Sequence, residues 1–164
     1  GIRLYNNLKS VAEKKGVNFY GSAQIIDFKK EKNKIRNITI KKPGRPDYVN
    51  AKVFILATGS FVSGGLFLDK NIFKETVFNL PVYFPKNKEL FNQDFFKLGH
   101  PIEKSGILID HNFQVLESGY NNLFIAGSIL AHSETMKYQC GHGMAIATGI
   151  AAAKNAQNFF GGTQ

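Results

Sequence analysis

The sequence predicts an α/β fold, and three stretches carry that prediction. Lys52-Val53-Phe54-Ile55-Leu56-Ala57-Thr58-Gly59-Ser60 is a continuous apolar run that ends in small residues. Such a run reads as a strand buried on both faces, as in a parallel sheet covered by helices. Asn122-Leu123-Phe124-Ile125-Ala126-Gly127-Ser128 repeats the pattern, and Cys140-Gly141-His142-Gly143-Met144-Ala145 opens a helix. Ligands of open α/β sheets sit at the carboxyl ends of the strands. The two small-residue ends are therefore expected to be two walls of one site, with the glycine-led helix as its floor.

The elements follow in order. Ile2, Leu4, Tyr5, Leu8, Val11 and Ala12 recur at helical spacing, and Gly16 is placed to stop that helix. Val17–Tyr20 reads as a short strand and Ala23–Phe28 as another, followed by a polar turn over 29–34. Ile35–Ile40 alternates, as a strand with one face in water does. Pro43-Gly44-Arg45-Pro46 turns the chain, and Tyr48–Ala51 leads into the first apolar run. This gives an antiparallel meander laid over one face of the sheet.

Residues 63–105 form a small insertion rich in aromatics: Phe67, Phe73, Phe78, Tyr83, Phe84, Phe91, Phe95 and Phe96. Pro81, Pro85 and Pro101 exclude a long helix there. The insertion either roofs the site or is a satellite hydrophobic cluster under loops. Gly106–Asp110 reads as a strand, His111-Asn112 as a turn and Phe113–Leu116 as the return. Ile129–Gln139 is irregular, and Met144–Phe160 is a long alanine-rich helix.

Composition narrows the function classes. At 164 residues and 43% hydrophobic, the chain can bury one real core. No apolar run approaches the roughly 20 residues that span a bilayer. The start, Gly1-Ile2-Arg3-Leu4, lacks both Met and a signal-peptide core, which predicts a piece of a longer chain. A single cysteine, Cys140, leaves no internal disulfide and no zinc pattern, and fits a reducing, cytoplasmic setting. The net charge is +9, but many of the charges crowd between Lys29 and Lys52 with Glu31 and Asp47 among them. That distribution reads as a solvated hairpin, or a face for a partner or an acidic membrane surface, before it reads as a nucleic-acid footprint.

The chemistry sits in the small-residue tracts. Glycine allows positive φ and close backbone approach, and a helix start offers unpaired N–H groups with partial positive charge. Gly141–Met144 therefore suits a phosphate, or the charge that builds on a reduced flavin; the alternative is a tight turn before a closely packed helix. Thr58-Gly59 and Gly127-Ser128 can admit a nucleotide group at the strand ends, or be plain strand-to-loop turns. Of the four histidines, only His142 falls within this set, as a weak catalytic candidate or a turn histidine. Cys140 either touches a cofactor ring or is a small buried hydrophobe. Lys137, near Glu134, either meets an anionic substrate or is a solvated loop charge, and Glu75 reads as a surface charge. No nucleophile elbow, Walker lysine or metal-ligand cluster is legible, so no metal is expected.

With these tracts in view the chain resembles a known group. Val53–Gly59 is similar to the "ATG" strand of two-dinucleotide-binding-domain flavoproteins, a group of FAD-dependent oxidoreductases. Gly106–Asp110, Asn122–Ser128 and Gly141–Ala145 resemble their C-terminal flavin-binding half. Ala57–Leu66, Lys74–Leu80 and Gln139–Gly143 resemble in particular the B-subunit family of anaerobic glycerol-3-phosphate dehydrogenase. The resemblance implies the C-terminal half of a Rossmann-like FAD/NAD(P)-binding fold, without the N-terminal Gly-x-Gly-x-x-Gly half. It implies FMN or FAD, held by Ala57, Thr58, Gly59, Gly127, Ser128, Gly141, His142, Gly143 and Met144. It also implies oxidation of sn-glycerol 3-phosphate to dihydroxyacetone phosphate, with electrons passed to a quinone pool. The implied partners are a larger FAD-carrying subunit and an iron–sulfur membrane-anchor subunit, which would hold the protein at the inner face of the membrane. His142 departs from the family tract, which is richer in glycine. Two other functions stay open: a non-catalytic relay or scaffold subunit that docks a partner, and a flavoprotein acting on RNA.

Overall fold

The computed structural model describes residues 1–70, 72–86, 89–94, 96 and 99–162. Among the described residues the fold is α/β: two α-helices with a three-stranded antiparallel sheet, a parallel pair of strands and a hairpin. Helix α1 (Ile2–Lys14) forms where the spacing predicts, and Gly16 at φ +82° closes its end. None of its residues is buried. The expected strand Val17–Tyr20 is irregular, because no strand edge lies beside it among the described residues.

The meander consists of β1 (Gln24–Glu31), β2 (Lys34–Lys41) and β3 (Asp47–Asn50), antiparallel in that order. Strand β1 runs past the expected Phe28. Lys29 pairs with Asn37 and Lys30 with Ile35, so the polar turn tightens to a point where Lys32 takes φ +52°. Strand β2 does not alternate cleanly: Thr39 and Ile40 are both buried.

Strands β4 (Phe54–Leu56) and β7 (Leu123–Ile125) are the two apolar runs, and they pair in parallel, Phe54 with Leu123 and Leu56 with Ile125. Phe54 and Leu56 face the main core with Leu66, Ile107, Leu123 and Ile129. Strand β4 is not buried on both faces as expected, because Ile55 is 45% exposed. The reason is where helix α2 (Gly141–Gly161) lies. Its Ala152 and Ala156 cover Phe124 and Ala126 of the β7 tract and leave Ile55, level with Phe124, uncovered.

Strands β5 (Leu66–Asp69) and β6 (Ile72–Glu75) form an antiparallel hairpin. Phe78 and Leu80, just after it, enter the main core, where Phe78 packs edge-on against Phe28 and Phe54. Phe95 lies outside the described residues. Glu75 is not a surface charge: it is buried and accepts hydrogen bonds from the N–H groups of Val77 and Phe78, both at 2.7 Å, and of Leu80 at 3.4 Å. The expected strand Gly106–Asp110 is a series of isolated bridges. Gly106 bonds to Tyr83, Ile107 pairs with Leu130 and Ile109 with Val115, so no two successive residues share a partner strand.

Candidate functional site

The site is built from the carboxyl ends of β4 and β7. Because the strands run in parallel and in register, both chains leave the sheet on the same side. After β4, Ala57 is exposed and Thr58 half-buried, and Gly59 takes φ +82°. The chain then folds into a tight turn, with the Gly65 N–H donating to Ser60 O at 3.0 Å. The turn is so close that a Cβ on Gly65 would lie 1.9 Å from Gly59 O. A Cβ on Gly59 would lie 2.6 Å from Ser63 Cβ and 3.6 Å from Ser128 Oγ. Gly59 therefore sits against the turn that follows β7, and the two predicted walls meet.

Gly127 takes φ +79°, and nothing lies within 4 Å of where its Cβ would be. Its N–H donates to Thr148 Oγ1 at 2.8 Å, and that hydroxyl donates to Met144 O at 2.6 Å. Thr148 thus ties the end of β7 to the first turns of α2. Met144 is half-buried against the main core, while Gly141, His142 and Gly143 are exposed. The first turn of α2 carries no acidic residue and no side-chain cap. Its leading N–H groups, which have no intrahelical acceptor, are open to an anion. Cys140 is the half-buried residue before the helix, and its carbonyl accepts the Met144 N–H at 2.8 Å.

A cleft of about 160 Å³ adjoins the strand ends, lined by Ser60, Ser63, Glu103, Ser128, Ser133 and Thr135 among others. Glu103 was invisible as a site residue in the sequence. It is buried, and its carboxylate accepts from the N–H of His100 at 3.0 Å and of Lys137 at 3.1 Å, joining two loops. The signal was the His-Pro-x-Glu spacing of a capping box. Lys137 is an exposed loop cation paired with Glu134. The Glu134 carboxylate, 3.0 Å from its ammonium, and then the Tyr138 hydroxyl hold it above its usual pKa. A larger cavity, about 610 Å³, lies at the opposite end of β4 and includes Lys34, Arg36, Lys52 and Phe160. We place the candidate site at the carboxyl ends, where parallel strands present their loops.

The fit to a flavin nucleotide can be tested on the site itself. The Thr58 hydroxyl is buried beside Gly59 with no hydrogen-bond partner, an orphan that a ligand group would satisfy. Gly59 and Gly127 keep their backbone bare, and the space over Gly127 is open. Among the described residues no group of His, Cys, Asp and Glu could hold a metal ion. No described helix is long and apolar enough to cross a membrane. The bare backbone at Gly59 and Gly127 and the unpartnered Thr58 hydroxyl are the features at the strand ends that a ligand group could use.

No family model matches the chain, and no solved structure matches it significantly. Curated relatives do. The chain is 37% identical over 111 residues to the B subunit of anaerobic glycerol-3-phosphate dehydrogenase from Aliivibrio fischeri strain MJ11, across 65% of the chain and 24% of that protein. It is 28% identical to the B subunit of the same enzyme from Actinobacillus pleuropneumoniae serotype 5b, across all of the chain and 39% of that protein. It is 26% identical to that of Haemophilus ducreyi, again across all of the chain and 39% of the relative. The chain thus spans two fifths or less of the relatives it matches. Along that span, the chain is similar to the B subunit of anaerobic glycerol-3-phosphate dehydrogenase.

Proposed function

We propose that the chain is the flavin-binding portion of an oxidoreductase subunit. In this reading the whole protein works in oxidising sn-glycerol 3-phosphate to dihydroxyacetone phosphate, within a complex that passes electrons to a quinone. One observation carries the reading: the parallel pairing of β4 and β7, which brings Gly59 and the Gly127-Ser128 turn together beside the orphaned Thr58 hydroxyl. The relatives' shared name supports the substrate and the membership of a multi-subunit assembly. When bound, a flavin supplies the hydride or electron chemistry. The chain's own residues then have separable roles. Ala57, Thr58 and Gly59 line one side of the nucleotide, with Thr58 offering its hydroxyl. Gly127 and Ser128 line the other. The N–H groups of Gly141, His142 and Gly143 face negative charge at the helix start, while that of Met144 is already bonded to Cys140 O. The fold is that of a Rossmann-like half-domain, in which the missing wall comes from elsewhere in the protein.

The test is colour. The protein purified with its complex should be yellow and should release flavin on heating. Gly143→Asp sets a carboxylate at the helix start, where there is space for it. Bound flavin should fall by at least about tenfold, a change of roughly 1.4 kcal/mol. The unfolding midpoint should barely move. A colourless but folded protein, or a variant that keeps its flavin, overturns the reading.

A further inference from the structure

A basic cavity lies at the amino end of β4, on the side away from Gly59. Its volume of about 610 Å³ is within the range of small-molecule sites. The start of β2 supplies Lys34 and Arg36, the approach to β4 supplies Lys52, and the last turn of α2 supplies Phe159 and Phe160. Among the described residues no Asp or Glu lines it. Nor does Lys34 or Lys52 pair with a carboxylate among them. Their ammonium groups lie over rings instead. Lys52 Nζ is 4.6 Å from the centre of Phe160, and Lys34 Nζ is 6.0 Å from that of Phe159. Such contacts are weak where water has access, so both ammonium groups can turn to an anion and bare the rings. Arg36 is different, because Glu31 holds its Nε at 2.6 Å and balances its charge. The carboxyl end of α2, which has no basic residue in its last turn, offsets about half a positive charge more. A surplus of roughly one and a half positive charges is left facing the cavity.

We propose that this cavity binds a nucleoside monophosphate, its phosphate against Lys34 and Lys52 and its base against Phe160. Charge selects the phosphate monoester, which carries about −1.5 to −2 at pH 7 and so matches the surplus. A carboxylate leaves part of the surplus uncompensated, and a triphosphate exceeds it. The rings select the flat base, since an aromatic face pairs best with another by stacking or edge contact. The volume accommodates both parts together, where a bare phosphate would leave most of it unfilled. The site stands at the opposite end of β4 from the Gly59 and Gly127 turns and does not rest on the flavin reading.

Calorimetric titration of the protein purified with its complex tests this. The probe is adenosine monophosphate, and ribose 5-phosphate and adenosine serve as its two halves. The probe should bind at least about tenfold more tightly than either half. Lys34→Gln combined with Lys52→Gln should cost the probe at least about tenfold in affinity and most of its salt dependence. Lys52→Gln alone, at an exposed position, should move affinity the same way by a smaller factor. Phe160→Ala, also exposed, should weaken the probe and leave ribose 5-phosphate unchanged. Circular dichroism and the unfolding midpoint should barely move in the lysine variants, since neither lysine is buried. Probe affinity unchanged in both lysine variants overturns the proposal, as does ribose 5-phosphate binding as tightly as the probe. So does an oligoribonucleotide that binds at least about tenfold more tightly than the probe at matched salt, which would assign the surface to single-stranded nucleic acid.

Discussion

Asn122→Ala should be among the most damaging single changes in this chain. Asn122 is 1% exposed and sits at the amino end of β7. Its Oδ1 accepts the Ile35 N–H at 2.9 Å, and its Nδ2 donates to Ile35 O at 2.8 Å and to Lys52 O at 3.1 Å. One side chain thus stitches the meander to the start of β4. Ile35 is itself 1% exposed, so alanine leaves both of its backbone groups buried and unpaired. At about 1–3 kcal/mol for each such group, the loss is roughly 4 kcal/mol. Lys52 is exposed and adds little, since water can replace that partner. With a urea slope of about 2 kcal/mol/M, the midpoint falls by roughly 2 M. Urea titration followed by circular dichroism reads this directly. Asn122→Asp adds a sign test. A carboxylate there is buried against two carbonyl oxygens, so its folded pKa lies above its unfolded one. That variant should gain stability as pH falls through the raised pKa and lose it again as pH rises. An Asn122→Ala stability within about 0.5 kcal/mol of the parent would refute the stitching argument.

Other outcomes follow from the same geometry. Gly65→Ala places a Cβ 1.9 Å from Gly59 O and 2.8 Å from Gly59 C, backbone atoms that cannot step aside. Thermal unfolding should show a loss of roughly 1–3 kcal/mol or more, whereas Gly143→Ala, with open space around it, should be neutral or stabilising by up to about 1 kcal/mol. Glu75→Ala removes the acceptor for three N–H groups, two of them on the buried residues Phe78 and Leu80. A loss of about 3 kcal/mol by chemical denaturation is expected, and an unchanged midpoint would reassign the turn. Asp47 should titrate below its usual 3.8, chiefly because Lys42 hydrogen-bonds to it at 2.7 Å, with the Tyr48 N–H next. Its contribution is present above the unfolded value and fades as pH falls through the folded one. Carbon-13 NMR titration should show Lys42→Ala, or high salt, moving it back up.

The amino-acid sequence by itself determined the parts of the fold that depend on local pattern. Helical spacing placed α1 and alanine content placed α2, turn residues helped to place the meander, and the apolar runs placed β4 and β7. It also picked out Thr58, Gly59, Gly127 and Ser128, because a strand that ends in small residues announces a close approach. Tertiary structure alone decided which faces are covered. Ile55 belongs to an apolar run, but its exposure depends on where α2 comes to rest. Glu75, Glu103 and Asn122 read as ordinary polar residues until folding surrounds each with backbone N–H or C=O groups far along the chain or around a turn. Gly106–Asp110 has strand composition, yet three different segments claim its residues, so no ladder forms. Periodicity records a residue's own preference for a face. Burial, and long-range pairings such as Asn122 with Ile35, are shared properties of segments that meet only in three dimensions, and no local window of sequence contains both partners.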